Sequence, residues 1–130
     1  SEMCIRDSSS SASNYSWTIL RSDGATPVST NTSGIGAQPY MQLTFAGDGN
    51  TATSNTFSNT EVYIPSYTAS QNKPFGQFAV AENNSSTAYM AANAMLWTNT
   101  AAINTITLVP NLGTNYLSGS SFYLYGIKNS

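Results

Sequence analysis

The sequence predicts an all-β domain, a two-sheet antiparallel β-sandwich, on three observations. From Tyr15 onward, short runs of β-forming residues alternate apolar with polar letters and break at Gly, Pro and Asn turns. No stretch sustains an apolar 3.6-residue period. The chain of 130 residues is 40% apolar and only 8% charged, with Ser, Thr and Asn in place of ions. That length suits one domain with a real core, and that composition gives a hydroxyl- and amide-coated surface.

Seven strands follow in order. NYSWTIL sets Tyr15, Trp17 and Ile19 on one face, then meets Asp23-Gly24, a hairpin signal because Gly accepts positive φ. YMQLTFAG follows a loop with Pro and Gly, and Asp48-Gly49 marks the next turn. In EVYIPSY, Val62 and Ile64 alternate with Glu61, Tyr63 and Pro65, and Pro65 requires a sheet edge or strand end because it has no N–H. KPFGQFAVAEN puts Phe78 and Val80 on one face and Gln77, Ala79 and Ala81 on the other. YMAANAMLW has helix-favouring letters, but its length and its place between strands favour β. INTITLVP turns Ile106 and Leu108 inward and Thr105 and Thr107 outward, and SFYLYGI is the last strand. The odd strand total, with no earlier partner for NYSWTIL, implies a sandwich that lacks its first strands.

Residues 1–13 are set apart from the 14–130 sandwich domain. SEMCIRDS holds three of the ten charged residues and the single Cys, then runs into SSSAS. It resembles translated sequencing-adapter read-through, so the segment is expected to be artefactual or disordered and Cys4 is not read as a nucleophile. No apolar run reaches the ~20 residues of a membrane span, and the front lacks a signal-peptide apolar region.

Chemistry-bearing residues are scarce. With no His, six acids and one Cys, neither a triad nor a metal cluster can be assembled from the sequence, so catalytic residues, metal ligands and cofactors are all read as none. Four basic residues and a net charge of -2 exclude a phosphate-binding stripe, so no nucleic-acid partner is expected. Glu61 and Glu82 lie at strand ends, where folding could bring them together as a glycosidase pair, although two surface charges are the default. GDGN lacks the repeating ligands of a calcium loop, and Gly34-Ile35-Gly36 lacks the strand-to-helix context of a phosphate loop. The candidate ligand contacts are Asn83, Asn84, Asn115 and Tyr116, amides and a ring suited to sugars, for which turn propensity is the competing reading. Trp97, beside Leu96, reads as core more than as a sugar platform.

NYSWTILRSDGAT, LWTNTAAINTITLVPNLG and SSFYLYGIKNS, in that order, resemble a family of bacteriophage virion structural proteins common in marine viral metagenomes. The matching positions are Ala102, Ile103, Ile106, Leu108, Phe122, Leu124, Tyr125, Gly126 and Ile127. The resemblance implies a jelly-roll-like sandwich closed by the SxFxLYGI strand. It implies a non-enzymatic virion module of tail-fibre, receptor-binding or capsid-decoration type, homo-oligomeric, contacting other virion proteins or a host surface glycan, with no membrane insertion. Members carry further strands before NYSW, where this chain has SEMCIRDSSSSAS. A carbohydrate-binding module of a secreted microbial protein is the alternative.

Overall fold

The computed structural model describes residues 2–6, 14–24, 26–31, 41–44, 53–84, 86–110 and 114–128. Among them there is no helix. The strands are β1 Glu2–Arg6, β2 Tyr15–Ser22, β3 Val28–Asn31, β4 Met41–Thr44, β5 Ser58–Tyr63, β6 Lys73–Ala81, β7 Tyr89–Trp97 and β8 Thr107–Pro110. They form an antiparallel sheet in the order β3-β2-β7-β6-β5 and a smaller one in the order β4-β1-β8. The all-β, sandwich-like class is as predicted.

Period-2 alternation builds the large sheet. On β2 the residues Tyr15, Trp17 and Ile19 are buried, and across the ladder they meet Trp97, Met95 and Asn93 of β7. β6 then matches β7 with Lys73, Phe75, Gln77 and Ala79 opposite Trp97, Met95, Asn93 and Ala91. From the small sheet Leu43 of β4 enters this core, and Ile103 joins it, with Val62, Ile64, Ile106, Leu108 and Tyr116 packed around it. The Tyr15 and Trp97 rings stack with centroids 6.5 Å apart. Burial of such a large side chain contributes about 1.5–3 kcal/mol.

Several expectations hold in detail. The β2–β3 hairpin turns at Gly24, whose φ is 85°. A side chain there would also overlap the Thr87 side chain. β5 is a sheet edge that ends before Pro65, which opens a turn. YMAANAMLW is a strand despite its Ala and Met content, because β2 and β6 flank it on both sides. Thr105 and Thr107 are exposed while Ile106 and Leu108 are half-buried. The two faces assigned to β6 are as expected, with Phe78 and Val80 on the outer one and Gln77 and Ala79 toward the core.

Three expectations differ. Residues 2–6, expected to stand outside the fold as artefact or disorder, form the central strand of the small sheet, where EMCIR satisfies the facing edges of β4 and β8. VSTN, read as loop, is a strand because the Gly24 turn returns it antiparallel along β2. SFYLYGI, expected to be the closing strand, joins no ladder among the described residues. Asp48-Gly49, GDGN and Gly34-Ile35-Gly36 lie outside the described residues.

Candidate functional site

At the centre of the sandwich sits a polar cluster that sequence reasoning did not single out. Gln77 is 5% exposed. Its Nε2 donates to the Thr44 carbonyl at 3.0 Å and to Thr60 Oγ1 at 2.9 Å. Its Oε1 accepts from the Thr44 N–H at 3.3 Å and from Asn93 Nδ2. The side-chain amide thus takes the place of a neighbouring strand for Thr44 and ties the small sheet to β5, β6 and β7. A buried amide satisfied in this way stabilises, and one left unsatisfied costs about 1–3 kcal/mol per group. Lys73, fully buried, is held similarly: its Nζ donates to the carbonyls of Gln71 and Asn99 and lies 5.6 Å from the Trp97 ring centroid. Both groups have structural partners, and Trp97 is core at 1% exposure.

Glu61 and Glu82 do not assemble into a glycosidase pair. Both oxygens of Glu82 accept backbone N–H groups, Oε1 from Phe57 at 3.1 Å and Oε2 from Asn84 at 2.8 Å. Its own N–H donates to the Phe57 carbonyl, so Glu82 is fixed beside Phe57, four positions along from Glu61. Four residues of strand span roughly 13 Å, beyond either glycosidase spacing. Among the described residues no three His, Cys, Asp or Glu come together as a metal site.

Each predicted contact residue has a place. Asn83 is exposed at the end of β6, with Nδ2 donating to the Tyr89 hydroxyl at 2.9 Å. Asn84 has φ 65° and donates from Nδ2 to the Ser54 carbonyl at 2.9 Å, which is turn chemistry. Asn115 is exposed, with Nδ2 3.4 Å from Thr114 Oγ1. Tyr116 is half-buried against the core, edge-on to Phe122 at 4.8 Å, with its hydroxyl enclosed. The exposed amides therefore belong to Asn83, Asn84 and Asn115, and the Tyr116 ring is already in use.

More conspicuous is apolar surface. The outer face of the large sheet exposes Leu20, Tyr63, Phe78, Val80 and Met90. Gly76 has open space where a side chain would stand. Around it lies a shallow hollow of about 270 Å³ lined by Glu61, Tyr63, Gly76, Gln77, Phe78 and Asn93. The C-terminal run is more exposed still: Phe122 49%, Tyr123 77%, Leu124 84%, Tyr125 80% and Ile127 72%. The alternation of SFYLYGI pointed to a strand, but it carried no signal for where the strand's partner is.

Fold and surface together define an antiparallel all-β domain that exposes a run of large apolar side chains near its C-terminal residues. Compared with family models, curated proteins and solved structures, the chain matches none of them.

Proposed function

We propose that this domain is a non-enzymatic structural module of a bacteriophage virion, of tail-fibre, receptor-binding or capsid-decoration type, located in the extracellular particle. The observation that supports this reading best is the C-terminal run. Phe122 to Ile127 is largely apolar, with three aromatic rings, and exposed, as befits a segment that is buried by protein once assembled. The resemblance of the same letters to phage virion proteins points the same way. Contacts with neighbouring virion proteins are then the primary task, and the exposed amides of Asn83, Asn84 and Asn115 offer weak, calcium-independent glycan contacts whose avidity rises with copy number. The test is proteomic: particles purified from a host culture that carries the gene contain the protein in stoichiometric amounts. Its absence from particles, or depolymerisation of a host polysaccharide by the pure protein, rejects the reading.

A carbohydrate-binding module is favoured by one separate observation, the hollow in which Tyr63 and Phe78 flank the Glu61 carboxylate. Rings for stacking beside a hydrogen-bond acceptor are the chemistry of a saccharide subsite. Loss of glycan binding in Tyr63→Ala, with binding unchanged in Asn84→Ala, would select this reading over the loop contacts.

A further inference from the structure

We propose that residues 122–127 form an exchanged arm that pairs antiparallel with the free edge of β5 in a second copy of the chain, so that each copy completes the large sheet of the other. The inference rests on the reading that this chain works in an assembly, but it names the partner and the edge.

The arm's sequence demands cover on two sides. FYLYGI is apolar at every position, the pattern of a strand buried on both faces, and not of an amphipathic edge strand. Its exposed large side chains amount to on the order of 600 Å², at the top of the range for the largest apolar patch on a monomer. Among the described residues its backbone also joins no ladder. An occupant that offers only an apolar face would leave those N–H and C=O groups unsatisfied, so the arm requires a strand edge.

Among the described strands four lie at sheet edges, β3, β4, β5 and β8, and at β4 the Gln77 amide already takes both backbone groups of Thr44. β5 is six residues long and each of the others is four, and the arm's apolar run is six. β5 also lacks the usual edge protection along its length: SNTEVY has one charge and no Pro. Its inward residues Ser58, Thr60 and Val62 are only half-buried, which leaves the core open at this side.

One antiparallel register answers both faces. With Leu124 opposite Val62, Phe122 falls opposite Ile64, and these two side chains close the core edge. On the outer face Tyr123 then stands beside Tyr63 and Tyr125 beside Glu61, bordering the hollow over Gly76. Two reciprocal arms with the edges they cover bury on the order of 2,000 Å², the size of a stable interface.

The test uses the full chain with Cys4→Ser as background. Light scattering of this protein gives twice the 13.8 kDa chain mass, and a chain ending at Gly119 gives the monomer mass with an unchanged far-ultraviolet circular dichroism spectrum. Adding Glu61→Cys and Tyr125→Cys together yields a reducible dimer on mild oxidation, at least several-fold faster than the out-of-register pair Asn59→Cys and Tyr125→Cys. Three results would overturn the proposal. The first is a monomer at every concentration with no cross-link, and the second is a disulfide that forms within one chain, meaning the arm closes its own sheet. The third is equal cross-linking in and out of register. A cross-linked dimer that is absent from particles leaves this inference standing and removes the virion reading, whereas a monomer incorporated into particles does the reverse.

Discussion

Replacing Gly24 by Ala separates two costs that the β2–β3 turn imposes at one position. Gly24 has φ 85°, a region that L residues with a side chain adopt at a cost of about 1–3 kcal/mol. A Cβ there also overlaps Cβ, Cγ2 and Oγ1 of Thr87. Because the nearest of these atoms is itself a Cβ, rotation of the Thr87 side chain cannot clear it, and backbone must move at a further cost of about 1–3 kcal/mol. The expected loss is therefore about 2–6 kcal/mol, out of the roughly 5–15 kcal/mol that a domain has in all. Urea denaturation reads it directly: with a slope of about 1.5 kcal/mol/M, the midpoint falls by about 1–4 M. Thr87→Gly removes all three overlapping atoms, so the double variant recovers the overlap part and keeps the φ part, a positive coupling of about 1–3 kcal/mol in a double-mutant cycle. If Gly24→Ala changes stability by less than about 0.5 kcal/mol, or if the two substitutions add without coupling, the turn geometry argued here is refuted.

Three further outcomes follow from the core. Gln77→Leu leaves both backbone groups of Thr44 and the amide of Asn93 without their partner and costs about 3–5 kcal/mol in the same denaturation assay, while Thr60→Val, which removes one neutral acceptor, costs about 1 kcal/mol. Ile106→Asp loses several kcal/mol by differential scanning calorimetry, and Thr107→Asp stays within about 0.5 kcal/mol, because the first packs on the core and the second is exposed; equal shifts contradict the register. Lys73→Met keeps the buried stem but forfeits two charged hydrogen bonds to carbonyls, with a thermal-denaturation loss of about 2 kcal/mol that does not change between low and high salt.

What the letters disclosed depended on whether a strand's partners left a trace in the strand itself. On β2 they did: Tyr15, Trp17 and Ile19 alternate with Ser16 and Thr18, and one buried face writes that pattern. β3 shows no such trace, because Val28, Ser29 and Thr30 are all exposed and the strand owes its conformation to the turn before it. The inward face of β6 was hidden by chemistry. Lys73 and Gln77 look like solvent-facing residues, and only carbonyls from Gln71 and Asn99, with polar groups from Thr44, Thr60 and Asn93, make an inward position tolerable. The candidate contacts divide in the same way. Asn84 carries its turn role in its own backbone angle, whereas nothing local to Tyr116 foretells that Phe122 will take its ring. For the C-terminal run, β-propensity was legible and pairing was not, since pairing is a property of the edge that receives a strand.

The way Gln77 grips Thr44 bears on how this protein comes apart. A sandwich held only by apolar contact can let one sheet slide or peel, because grease has no preferred alignment. Here the two backbone groups of Thr44 are read by one side chain of the opposite sheet, as a key reads two pins, and a shift of β4 by a single residue misses both. Separation of the layers and loss of their alignment thus become one event. The Thr44 amide proton should accordingly exchange with deuterated solvent only through global opening, at the rate of the slowest protons in β6 and β7, even though the strand that carries it is four residues long and lies at a sheet's edge.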